Sequence, residues 1–301
     1  MASPSQSFGS ETSAGRRGTW RASLWTMTEW LGFERDGVKL SVLDFGGEGQ
    51  PVLLLHGLAG HCGEWAQTAL WLTEHHRVFA LDARGHGRSE RVPADVSPDA
   101  LIADVAFIAR AVASGPVVVV GQSIGGVTAL MLAARHPELA HALVMVDASP
   151  NDGGTADQAA QKIGEALASW PVPFPSLWAA VQFFRARFGD GAALAWADGL
   201  EEHADGWRPR FDIDVMTRTV AAMHEHSSWP CWEALRCPVL VVRAGHGVIE
   251  PQTVHEMAAR LPASRIVELP DAQHDVHLDR AEEWREALTG FLASTGKPDR
   301  S

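Results

Sequence analysis

The sequence predicts an α/β fold: a mostly parallel eight-stranded sheet with helices on both faces and a helical segment inserted after the sixth strand. Three observations carry this expectation. From residue 51 onward, short apolar runs rich in Val, Leu and Ile alternate with helical stretches, the pattern of parallel strands buried between helices. Ahead of them, Asp36-Gly37 separates two alternating segments, which reads as a hairpin and therefore an antiparallel edge. Between about Pro150 and Trp229 the strand-like runs cease and aromatic residues crowd in, so a separate unit interrupts the alternation.

Taken in order, residues 30–35 and 38–44 are the hairpin strands. Residues 51–55 form a buried strand that ends at His56-Gly57-Leu58-Ala59-Gly60. A helix over 64–72 leads to a strand over 77–81, which runs into Asp82-Ala83-Arg84-Gly85-His86-Gly87-Arg88-Ser89. Residues 99–113 have the spacing of an amphipathic helix. The four valines of 117–120 suit a strand buried on both faces, and the Ala- and Leu-rich stretch 127–135 is a helix stopped at His136-Pro137. The sixth strand, 142–146, ends at Asp147. Strands at 238–243 and 266–269, a helix near 252–260 between them and a last helix over 281–293 complete the alternation. Residues 27–149 and 231–295 are thus assigned to the core and 150–230 to a helical cap. Each aromatic of the cap, among them Trp170, Phe174, Phe184 and Trp196, could pack between cap and core. Together they are expected to give a pocket apolar walls.

Composition narrows the function. A net charge of −12 over 301 residues argues against nucleic acid or an anionic membrane surface as partner and says little about a small-molecule substrate, which the aromatic-rich insertion leads one to expect to be apolar. No apolar run reaches the roughly 18 residues of a membrane span. Residues 1–26, rich in Ser, Gly, Ala and Arg, read as a disordered tail without the apolar stretch of a secretory signal, and Met27 is an alternative start. Cys62, Cys231 and Cys237 fall in no CxxC or Cys/His pattern, so free thiols in a reducing cytoplasm are expected, with no metal. The oligomeric state is not readable.

Chemistry concentrates at Gly121-Gln122-Ser123-Ile124-Gly125, a Gly-x-Ser-x-Gly segment between strand and helix. A serine on so sharp a turn is held in a strained conformation, with glycines letting neighbouring chain pass close. The helix beginning there aims free N–H groups and its positive dipole end at the hydroxyl. The alternative is a glycine-rich turn whose serine only caps a helix. Strand before and helix after favour the nucleophile. The other polar clusters also follow strand ends, where open α/β sheets build their sites.

These residues, together with His56-Gly57, the 82–89 turn and a late Gln273-His274-Asp275-Val276-His277, resemble the α/β-hydrolase superfamily from about Trp30 to Leu292. The resemblance implies a serine esterase-type triad, an oxyanion hole, a cap that sets specificity, and no metal or organic cofactor. It makes Ser123 the nucleophile and His274 the base, with His277 as the nearby alternative. The oxyanion hole is expected from the backbone N–H groups of Leu58 and Ile124. His56 and His86 are expected to brace backbone rather than to react. The usual acid position follows the seventh strand, where Ala244-Gly245-His246-Gly247-Val248-Ile249-Glu250 has no carboxylate in place. Some members take the acid from the end of the sixth strand, which points to Asp147. Glu250, or a dyad without either, are the alternatives. The expected activity is hydrolysis of an ester or lactone with an apolar body. A carbon–carbon bond hydrolase or an amidase would use the same parts, and a ligand-binding sensor is the rival outside enzymes. Dehalogenases and epoxide hydrolases of this fold are set aside, because they carry aspartate where this chain has Ser123.

Overall fold

The computed structural model describes residues 28–296; the expected tail and the alternative start at Met27 lie outside them. Strands β1 (Glu29–Arg35) and β2 (Val38–Gly46) pair antiparallel, Glu29 facing Asp44 and Arg35 facing Val38. Their turn places Asp36 at φ 51° and Gly37 at φ 77°, the two left-handed residues that an Asp-Gly hairpin needs. Next to β2, and antiparallel to it, lies β4 (His76–Asp82). The remaining neighbours are parallel: β3 (Gln50–Leu55), β5 (Val117–Gln122), β6 (Ala140–Val146), β9 (Val239–His246) and β10 (Arg265–Gln273). The eight-stranded order is β1-β2-β4-β3-β5-β6-β9-β10, with β5 near the middle and every residue of it buried.

The two-residue period of the strands divides the core. Leu53, Val117, Val119, Leu143 and Val241 face one side, where they meet α2 (Pro98–Val112), α3 (Ile124–Arg135), α7 (Trp229–Ala234) and α8 (Pro251–Arg260). Val52, Val118, Val120, Val144 and Leu240 face the other, against α1 (Ala66–Leu72) and α10 (Ala281–Leu292). Strands buried on both faces need apolar residues at consecutive positions, which is why these runs do not alternate. Trp284 of α10 donates its indole N–H to Thr68 Oγ1 of α1 at 2.9 Å, so the polar atom of a fully buried ring is satisfied.

Between β6 and β9 the chain leaves the sheet for α4 (Ala156–Ala168), α5 (Leu177–Asp198), β7 (Leu200–His203), β8 (Gly206–Pro209) and α6 (Ile213–Met223). The antiparallel hairpin β7–β8 corrects the expectation of a strand-free insertion. Its two short strands, Leu-Glu-Glu-His and Gly-Trp-Arg-Pro, hold too few apolar residues to signal themselves. Phe174 extends the pairing from outside, exchanging backbone hydrogen bonds with Trp207 of β8 at 2.9 and 2.8 Å. Helix α5 is broken at Gly189, whose φ of 85° and ψ of 174° are not helical. Most of the aromatics pack on one another: Trp170 meets Phe184 at 4.9 Å and Phe188 stacks on Trp196 at 4.9 Å. Leu58 and Ala59 of the core pack against this cluster, whereas Trp178 stands 65 % exposed. Among the described residues no helix is long and apolar enough to cross a membrane.

Candidate active site

Ser123 occupies the turn between β5 and α3 with φ 52° and ψ −122°, a conformation a non-glycine residue adopts only under constraint. Its N–H donates to Val146 O at 3.0 Å, and its carbonyl accepts from Gly126 and Val127 as α3 begins. The turn closes only on glycines. A Cβ on Gly125 would sit 2.4 Å from His56 O, and one on Gly121 would sit 2.2 Å from Gly125 O. The loop after β3 lies alongside, since a Cβ on Gly57 would come within 3.4 Å of Ser123 Cβ. Among the described residues neither the Leu58 nor the Ile124 N–H finds an acceptor within the protein. Free backbone N–H donors are the kind of group that a developing oxyanion requires.

His274 stands at the carboxyl end of β10, beside this turn: its carbonyl accepts from the Gln122 amide at 3.3 Å. Its Nδ1–H donates to Asp147 Oδ2 at 2.7 Å. Asp147, at the end of β6, is 0 % exposed and has φ 41°. Its carboxylate also accepts from the backbone N–H groups of Ala244 at 3.1 Å and Val248 at 2.8 Å. The loop without a carboxylate at the expected position thus wraps a carboxylate supplied by the neighbouring strand. It can do so because residue 247 is glycine, where a Cβ would lie 2.0 Å from Asp147 Oδ2. Glu250 is exposed at the start of α8 and is not brought to His274. Burial works to lower the His274 pKa, but the hydrogen bond to Asp147 and the charges of Asp275 and Asp147 leave it raised above 6.5. Among the described residues no hydrogen bond joins Ser123 Oγ to His274, an alignment that often tightens only with substrate bound.

His277, the alternative base, is 1 % exposed and stacks on Trp65 with ring centroids 4.2 Å apart. It lies in the short helix α9 (Val276–Asp279), and burial holds its pKa down at about 3. Three further residues meet at the site without having been anticipated. Asp275, buried, accepts from the Gln122 amide at 3.2 Å through Oδ1 and from the Trp196 indole at 2.8 Å through Oδ2. Adjacency was the available signal: Gln122 precedes Ser123 and Asp275 follows His274.

His56 and His86 clamp the two loops beneath the turn. The His56 Nδ1–H donates to Gly57 O at 2.7 Å while Nε2 accepts from the Ala83 N–H at 3.0 Å. Reciprocally, the His86 Nδ1–H donates to Arg84 O at 3.0 Å and Nε2 accepts from the Ala59 N–H at 3.1 Å. Both rings must be neutral to accept. Burial first, then the charge of His61 on His56 and of His56 on His86, pull His56 down to about 4 and His86 to about 3 from 6.5. Below 6.5 the unfolded chain therefore binds protons that the folded chain refuses, so these groups stabilise the fold fully above that pH and lose their contribution as pH falls toward 4 and then 3. Melting temperatures are expected to decline progressively on that side. A melting temperature held level down to about pH 4 would contradict the clamp. A mainly apolar cavity of about 30 Å³ adjoins the clamp, lined by Leu81, Leu101, Thr128 and Thr219 among others; neither Ser123 nor His274 lines it.

With this geometry in place, a family model described as "Alpha/beta hydrolase family" matches residues 52–287. The chain belongs to the α/β-hydrolase family. Among α/β-hydrolases it is similar to the sn-1-specific diacylglycerol lipase ABHD11 of Mus musculus, 27 % identical over 250 residues that cover 80 % of each chain. It is 30 % identical to the pimeloyl-[acyl-carrier protein] methyl ester esterase of Xanthomonas campestris pv. campestris, over 84 % of this chain and 98 % of that one. In three dimensions it resembles E-2-(acetamidomethylene)succinate hydrolase with a TM-score of 0.80, at 22 % identity, over 88 % of this chain and all of the other. Membership of an α/β-hydrolase family assigns the chain to the hydrolases.

Proposed function

We propose that this α/β-hydrolase is a serine hydrolase that cleaves a carboxylic ester or lactone of an apolar small molecule through an acyl-enzyme. Ser123 Oγ attacks the carbonyl carbon and passes its proton to His274 Nε2. Asp147 keeps the other imidazole proton on Nδ1, so that Nε2 is the free base, and stabilises the imidazolium that forms. The N–H groups of Leu58 and Ile124 take the oxyanion, each typically worth on the order of 100- to 1000-fold in rate. His274 returns the proton to the leaving alcohol, and water then releases the acid by the same route reversed.

One observation carries the reading: the 2.7 Å contact of His274 with a wholly buried carboxylate, beside a serine held at positive φ. Relatives named as a lipase and a methyl ester esterase, which align over most of the chain, support the ester reading. The apolar body is supported by Leu58, which packs into the aromatic cluster of the inserted segment, and by Trp196, which reaches the loop of His274. Reaction with a fluorophosphonate probe followed by peptide mapping is expected to label Ser123 of the native protein. Absence of labelling would overturn the mechanism. On p-nitrophenyl esters of increasing chain length, kcat/KM is expected to rise beyond acetate; a preference for acetate would reject the apolar pocket.

A further inference from the structure

Resting on the serine-hydrolase reading, we propose that Asp275 is a second acidic residue of the site, a positioning residue that holds the His274 loop in register and ties it to the inserted segment through Trp196. The argument begins with what Asp275 does not do. It is the residue from which α9 starts, and an aspartate there ordinarily turns its carboxylate onto the first free N–H groups of the helix. Here the side chain makes no cap bond. It turns instead to Gln122, at 3.2 Å, and to Trp196, at 2.8 Å. One buried carboxylate thereby joins the residue before the nucleophile, the residue after the base, and a helix of the inserted segment.

That helix is shaped for the contact. Gly189 breaks α5, and the half that follows docks separately onto the core. Gly191 lets it approach so closely that a Cβ there would lie 2.3 Å from Leu278 O of α9. His61 Nε2–H donates to Ala195 O at 2.9 Å from the other side. Trp196, last in this sequence of contacts, also stacks on Phe188 and meets Trp170 edge-on. The Asp275 carboxylate is therefore the polar end of a connection whose other end is the aromatic core of the insertion.

The electrostatics agree in sign. The titratable groups around the His274–Asp275 step are Asp147 from β6, Glu64 from the turn before α1, and His277 and Asp279 from α9. Burial and the charge of Asp275 push Glu64 well up, so it stays protonated, and His277 stays neutral. Burial first, with the charges of Asp147 and Asp279, leaves the Asp275 carboxyl raised above its usual range, while His274 and the Trp196 donor pull the other way. The carboxylates of Asp147 and Asp275 then both favour protonation of His274.

Wild-type protein and the Asp275→Asn and Trp196→Phe variants would be compared through the pH dependence of kcat/KM on a p-nitrophenyl ester, of fluorophosphonate labelling, and of the ¹⁵N imidazole shifts of His274. In Asp275→Asn the acid limb is expected to move to lower pH, because a charge that favours the imidazolium is gone, with a loss of about tenfold at the plateau from looser placement of the base. A uniform loss with an unmoved limb would mean a structural role only and would overturn the proposal. Trp196→Phe leaves Asp275 in place and cuts its tie to the inserted segment, so KM is expected to rise more than kcat falls. An unchanged KM, or a loss confined to kcat, overturns the proposal even if the asparagine variant does not fold. Wild-type protein that fails to label at all would instead sink the hydrolase reading, while the imidazole titration still tests Asp275.

Discussion

Replacing Ser123 by alanine is expected to lower kcat by about 10⁶-fold on any ester the wild-type protein turns over, the scale seen when a triad nucleophile is removed. The oxyanion donors and the binding surface remain, so a residual rate above that of water should persist. The glycine variant sharpens the experiment. Ser123 sits at φ 52°, where a side chain carries roughly 1–3 kcal/mol of strain, and alanine inherits that strain while glycine relieves it. Ser123→Gly should therefore be as inactive as Ser123→Ala yet melt at a higher temperature, by about 2 °C or more for a chain of this size. Equal melting temperatures would mean that the turn holds no strain worth relieving. Turnover by either variant above about one per cent of wild type would remove Ser123 as the nucleophile.

Much of this fold was legible because its signals are local. The valines of β5 mark a strand buried on both faces, Asp36-Gly37 marks a hairpin, and the Gly-x-Ser-x-Gly turn marks the site they converge on. Asp147 was reached through the family resemblance, since some α/β-hydrolases take the acid from the end of the sixth strand; the structure sets its carboxylate 2.7 Å from His274 Nδ1. What was not legible depends on approach between distant segments. The Trp196–Asp275 bond spans 79 positions and depends on a break at Gly189 and a bare backbone at Gly191, neither of which a periodicity reveals. The hairpin β7–β8 was missed because its two four-residue strands carry too few apolar residues to show a strand period. Aromatic content alone likewise cannot separate rings that wall a pocket from rings that pack on each other, as Trp170, Phe174 and Phe184 do.

Asp147→Asn is the substitution on which the assignment of the acid rests, and it is expected to lower kcat by about 10⁴-fold. The amide fits the same volume but has one acceptor atom where the carboxylate used two. If its oxygen takes the place of Oδ2, the bonds from His274 and Val248 survive and the NH₂ group meets the Ala244 N–H, donor against donor. If it takes the place of Oδ1, the NH₂ group faces His274 and forces the imidazole proton onto Nε2, where the ring can no longer accept from Ser123. Both arrangements lose the charge that stabilises the imidazolium, and both leave a buried backbone N–H opposed, at a cost of about 1–3 kcal/mol in stability. Activity and melting temperature should therefore fall together, which a purely catalytic acid exposed to solvent would not require. Glu250→Gln supplies the contrast: that side chain is exposed at the start of α8, and its neutralisation is expected to leave kcat within about twofold of wild type. An active Asp147→Asn enzyme, or a Glu250→Gln enzyme as impaired as that one should be, would move the acid to the loop after β9. The packing argues against such a move, because that loop already spends the N–H groups of Ala244 and Val248 on Asp147 and turns the Val248 side chain outward, 62 % exposed.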